Sequence, residues 1–158
     1  MLKELLVSSD LFNGLSDASL TPIEQMARVE DHEKRSYLFV EGGEPHDLFI
    51  IVEGKVEMDL SLSPTPGTGY QIAVDTLSKG QTCGWSSVLE SHVYTMTAKC
   101  IEPVKAIAIN GAQLRSFLDQ NPSIGYRVMQ NMAWVVTSRL RNMKIRLPLA
   151  LGRETKPR

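Results

Sequence analysis

Between residues 33 and 109, short apolar runs alternate with clusters of turn-forming residues, and no other feature narrows the fold as much. Tyr37-Leu38-Phe39-Val40 is one run, closed by Glu41-Gly42-Gly43-Glu44-Pro45. Leu48 through Val52 is the next, closed by Glu53-Gly54. Val56 to Leu62 alternates apolar and polar residues, the period of a half-buried strand. Tyr70 to Leu77, Tyr94 to Cys100 and Val104 to Ile109 complete the series, the last two parted by Glu102-Pro103. Strand-length runs bounded by Gly, Pro and acidic turns predict a sandwich or barrel. Ser63 to Gly69, rich in Pro, Gly and Thr, is expected as a flexible hairpin tip.

Helical signals flank this β-rich middle. Residues 1 to about 30 read as two helices broken by the turn Asp10-Leu-Phe-Asn-Gly14. Ser16 caps the second, whose apolar face takes Ile23, Met26, Ala27 and Val29. After the last strand, Asn110 caps a short helix carrying Leu114, Phe117 and Leu118, which Asn121-Pro122 ends. A long helix is then expected from about 123 to 147, stopped by Pro148 and Gly152, with residues 148–158 a basic disordered tail. Met129, Met132, Val136, Leu140, Met143 and Leu147 step along it by threes and fours, a narrow seam suited to helix pairing. About 25 helical residues span about 37 Å, more than a small barrel needs for cover. The excess predicts a homodimer through Met129, Met132, Val136, Leu140 and Met143, or a contact with another protein.

One domain fits 158 residues, and a net charge of -1 gives no field that would advertise nucleic acid or membrane. The local run Arg139, Arg141, Lys144, Arg146 is expected as a solvated helix face. Cys83 and Cys100 have no CxxC spacing and no nearby His, so a reduced, cytoplasmic setting is expected. No apolar stretch approaches the ~20 residues of a membrane span, and the first ten residues lack a signal-peptide core.

The order of these elements, with four motifs, resembles the cyclic-nucleotide-binding domain family, in its catabolite-activator-protein-like branch. Asp47-Leu-Phe-Ile-Ile-Val-Glu-Gly54-Lys-Val56 resembles the strand-turn-strand signature, and Phe39-Val-Glu-Gly42 the entry turn before it. Gly80-Gln-Thr-Cys-Gly84-Trp-Ser-Ser-Val-Leu89 lies where the family keeps its phosphate-binding cassette, and Tyr94-Thr-Met-Thr-Ala98 where it keeps an Arg-containing strand. Asn121-Pro122 followed by the long helix matches that branch. The resemblance covers about residues 8 to 145. It implies a mainly β fold, a double-stranded β-helix or jelly roll with N-terminal helices, a short helix and a long C-terminal helix. It also implies a non-catalytic, ligand-sensing regulatory role.

By the same resemblance, the ligand site comprises Gly84, Trp85, Ser86, Ser87, Tyr94, Thr95 and Thr97. Gly84 and the helix start after it would offer backbone N–H groups to an anion. Trp85 stands where the family has the Glu that accepts from ribose, and Tyr94 where it has the Arg that pairs with the cyclic phosphate. Losing those contacts removes several kcal/mol, two or more decades of affinity. Three readings stay open. The pocket takes another small ligand, anionic or nucleotide-like; or it is closed, Trp85 being core, and the chain is a dimerisation module; or cyclic AMP or GMP still binds through Tyr94 and backbone amides.

Other chemistry finds little support. A metal-binding cupin needs a close His-x-His pair, which His32, His46 and His92 do not make, so no metal or cofactor is expected. Ser86 and Ser87 have His92 nearby but no G-x-S-x-G elbow and no acid partner, so no catalytic residue is assigned. The chain ends soon after Leu147, leaving no room for a helix-turn-helix, so no direct DNA-binding domain is expected.

Overall fold

The computed structural model describes residues 1–63 and 69–154. Two helices, α1 (Leu2–Val7) and α2 (Asp17–Met26), precede eight strands: β1 (Ala27–His32), β2 (Tyr37–Phe39), β3 (Asp47–Glu53), β4 (Val56–Ser61), β5 (Gln71–Leu77), β6 (Thr82–Cys83), β7 (Thr97–Cys100) and β8 (Val104–Asn110). Helices α3 (Gly111–Gln120) and α4 (Pro122–Glu154) follow. The strands form two antiparallel four-stranded sheets, β1-β8-β3-β6 and β2-β7-β4-β5, the jelly roll the sequence implies.

The inner strands of the first sheet, β3 and β8, are buried on both faces, which explains the unbroken apolar run Leu48–Val52. Leu48, Ile50 and Val52 of β3, with Ile107 and Ile109 of β8, face a core shared with Leu6, Leu20, Ile23, Leu114, Val128 and Met132 from the helices and Phe12 from the turn between α1 and α2. The intervening Phe49 and Ile51, with Val104, Ala106 and Ala108, face the second sheet and pack on Val56, Met58, Ile72, Val74 and Leu77. Register pairs Ile50 with Ile107 on the helical side and Phe49 with Ala108 on the barrel side. Large residues therefore meet large ones under the helices, and small alanines make room inside the barrel. Gly54 closes the β3–β4 turn at φ +84°, where a Cβ would stand 2.1 Å from the Pro103 carbonyl oxygen.

Local capping follows the sequence. The Ser16 hydroxyl accepts from the Ser19 N–H at 3.3 Å, and Asn110 Oδ1 from the Gln113 N–H at 3.0 Å. From α4, Asn131 Nδ2 donates to the Leu11 and Asn13 carbonyls, each at 2.9 Å, tying the N-terminal turn to the long helix.

Three expectations are corrected. Ala27 and Val29 lie not on a helix but on β1, an edge strand paired with β8; Val29 faces solvent, so the segment carries no apolar alternation. The strand expected from Tyr94 begins only at Thr97. Helix α4 does not stop at Leu147 but continues through Pro148 to Glu154. Pro148 forfeits one bond to the Lys144 carbonyl, yet both residues are exposed there, water can serve that carbonyl, and the helix resumes. The helix-pairing seam is divided: Met132 is 4% exposed within the chain's own core, Met129 and Met143 are partly covered, and Val136 and Leu140 stand in solvent. The expected hairpin tip at 64–68 and the tail at 155–158 lie outside the described residues. Among the described residues, no helix is long and apolar enough to cross a membrane.

Candidate ligand-binding site

The cassette turn is anchored by β3. Gly84 adopts φ +82°, and a Cβ there would stand 2.7 Å from the Asp47 carbonyl oxygen and 3.3 Å from the Phe39 ring. Only glycine lets the turn lie this close to β3. A single 3-10 turn, Trp85–Ser87, follows. The Ser87 hydroxyl donates to the Gly84 carbonyl at 2.7 Å, and the amides of Ser87, Val88 and Leu89 also bond within the turn. The first amides, of Trp85 and Ser86, have no carbonyl within the turn to bond.

Tyr94 approaches from the other side. Its ring stacks on Phe39 with centroids 4.1 Å apart, and Phe39 stacks in turn on Phe49. Its hydroxyl donates to the Asp47 carbonyl at 2.8 Å and accepts from the Asp47 N–H at 3.1 Å. Its backbone bonds Gly42 and Gly43. Burial pushes the Tyr94 phenol above its ordinary pKa, so it stays neutral.

Together these residues enclose a cavity of about 40 Å³, between Phe39, Met58, Gly84, Trp85, Ser86, Tyr94, Thr95 and Met96. Five of the seven expected site residues therefore share one cavity. Ser87 and Thr97 do not line it: Ser87 braces the turn, and the Thr97 hydroxyl accepts from the Glu41 N–H at 3.0 Å. Of the hydroxyls expected to meet a ligand, those of Ser87, Tyr94 and Thr97 are spent on the backbone. Those of Ser86 and Thr95 remain. The volume is far below the ~300–1,000 Å³ of drug-sized ligand sites. A wider groove of about 430 Å³ lies behind the cassette, between Val88, Glu90, Arg115, Leu118 and Met129.

Sequence reasoning missed the group that backs this cavity. Arg139, expected on a solvated face, is 7% exposed. Its guanidinium lies 5.1 Å from the Trp85 ring centre, its Nε 3.1 Å from Asp75 Oδ2, and its Nη2 donates to the Thr82 carbonyl at 2.5 Å. Asp10 accepts from the Thr82 hydroxyl and N–H nearby, and burial raises its carboxyl above the usual range despite those bonds and Arg139. The signal available in sequence was an arginine on the same helical row as Val128, Met132 and Val135, spaced by three and four.

The comparisons with known proteins agree with this architecture. The model of the cyclic nucleotide-binding domain matches residues 29–121. The chain belongs to the cyclic nucleotide-binding domain family. It is 28% identical over 129 residues to the anaerobic regulatory protein of Bacillus subtilis, covering 81% of this chain and 49% of that one. It is 23% identical over 133 residues to the CRP-like cAMP-activated global transcriptional regulator of Mycobacterium tuberculosis, covering 84% and 57%. The chain thus spans about half the length of these two regulators. A cyclic nucleotide-binding domain from Methylobacillus flagellatus superposes with a TM-score of 0.75 at 16% identity, covering 99% of this chain and 84% of that structure.

Proposed function

We propose that this chain is a non-catalytic regulatory domain that senses a small ligand and binds cyclic nucleotides weakly or not at all. The observation that carries this reading is the state of Tyr94. Where the resemblance places a fixed cation for phosphate, this chain has a neutral phenol already bonded to both backbone groups of Asp47. Trp85 occupies the position of the ribose acceptor, and the cavity beside it holds about 40 Å³. A cyclic nucleotide would have to move Trp85 and would gain no charge-assisted pair in return. Binding through Tyr94 is disfavoured for the same reason, since its hydroxyl would first have to leave Asp47.

The test is a thermal-shift screen with cyclic AMP, cyclic GMP and small anions, on wild type and on a Trp85→Glu, Tyr94→Arg double variant. The expectation is no shift of wild type by cyclic nucleotide. Strong stabilisation of wild type by cyclic AMP would overturn the reading.

A separate observation favours self-association. Met129, Ala133, Val136, Leu140 and Leu147 recur at steps of three, four and seven along α4, with Val136 41% and Leu140 54% exposed. A second copy of α4 is the simplest cover for this stripe, giving a dimer whose helix geometry reports on the barrel. The regulatory output, in this reading, passes through that pairing or through a partner protein.

A further inference from the structure

Arg139 and Asp75 form a buried ion pair that the resemblance does not account for. The Asp75 side chain is 4% exposed and that of Arg139 9%. Asp75 Oδ1 accepts from the Thr76 N–H at 2.9 Å and from Asn142 Nδ2 at 3.1 Å. Its Oδ2 accepts no hydrogen bond among the described residues and meets only the Arg139 Nε, close enough to pair but poorly aligned. Above the guanidinium lies the Trp85 indole, and beside it the Thr82 carbonyl. A carboxylate, a carbonyl and an aromatic face around one small volume is the acceptor set for a planar, delocalised cation. The same indole lines the 40 Å³ cavity, so whatever fills this cleft also sets the cavity wall.

We propose that the cleft between Asp75, Thr82 and Trp85 is a recognition site for a planar guanidinium-type cation, filled in this conformation by the chain's own Arg139, and that a free cation of that class can replace it and release α4. The recognition chemistry stands on the geometry alone; the release of α4 rests on the sensor reading above. Arg139 acts as a tethered ligand. It pins the middle of α4 to β5, and its tether gives it a high effective concentration that an untethered competitor must exceed.

The experiment is chemical rescue. Arg139→Ala leaves the Asp75 carboxylate buried without its counter-charge, and melting is expected to fall by roughly 10 °C. Low millimolar methylguanidinium is expected to recover most of that loss, methylammonium little, and neither to help an Asp75→Asn, Arg139→Ala double variant. Equal rescue by both cations, rescue that persists without Asp75, or no rescue overturns the proposal. Should Arg139→Ala not fold, Arg139→Lys reads the same point: it keeps a charge but no planar fork, and is expected to lose a substantial part of the stability. A melting point equal to wild type overturns the recognition claim. In wild type, methylguanidinium is expected to speed amide hydrogen exchange across residues 132–146. Rescue of the variant without that effect would leave the site standing and remove the sensing step.

Discussion

Single side chains here carry charges that water normally holds, and the acidity of Asp59 is the clearest case. Asp59 on β4 is 6% exposed and lies two residues from Glu57. Burial first, and the Glu57 charge second, raise its pKa to about 6. The folded state therefore holds this proton more tightly than the unfolded chain, whose carboxyl titrates near 4. The contribution to stability is fully present below pH ~4 and is lost as the pH rises through about 6. Urea unfolding of wild type and Asp59→Asn between those two values should show the wild-type stability falling relative to the variant. Parallel pH profiles for the two proteins would refute the assignment. Burial chiefly, against the lowering by Arg139 and with smaller rises from Asp10 and Cys100, pushes the Cys83 thiol up to about 12, so this residue is expected to behave as an inert core side chain.

At the scale of elements, α4 does two jobs. One row (Val128, Met132, Val135, Arg139) faces inward, and the neighbouring row with Val136 and Leu140 faces out. In the proposed pairing, wild type should sediment as a dimer and Leu140→Glu as a monomer, with the stability of the folded monomer changed by less than about 0.5 kcal/mol, since exposed positions tolerate polar residues. A variant that stays dimeric would remove the pairing through this row. Much of the architecture was legible because strands and caps announce themselves locally: Ser16, Asn110 and the Leu48–Val52 run all stand where the sequence places them. Strand β1 was not, because none of its residues from Ala27 to His32 is fully buried and the sequence has no apolar face to alternate. How the seam on α4 is shared was not legible, because periodicity states which residues share a face but not how much of that face the barrel takes, as the buried Met132 beside the exposed Leu140 shows. At the site, the cavity wall of Gly84, Trp85 and Tyr94 was readable from motif order. Arg139 was not, since its role depends on Asp75, 64 positions earlier, and only the folded chain brings the two together.

For the whole molecule, the first sheet is the party wall between two cores. Alternate residues of β3 serve the helical core and the barrel core, so neither can be dismantled while the other stays whole. Ile50→Ala and Ile51→Ala should each cost about 2–5 kcal/mol, and each should lower one common transition. The check is whether far-ultraviolet circular dichroism and tryptophan fluorescence melt together in both variants; separated transitions would mean that the cores unfold independently. One of the sheet edges that bounds this structure is β5. It closes the end of the second sheet, with β4 on one side and no strand on the other, and α4 lies against it through Arg139, Asn142 and Arg146. A helix that swings away to transmit a signal would leave this edge strand without the element packed on it, and an uncovered edge is the kind of border that recruits stray chains into fibres. In the proposed release of α4, signalling would stand in tension with colloidal safety, and the arginine that seats the helix would also keep that edge covered.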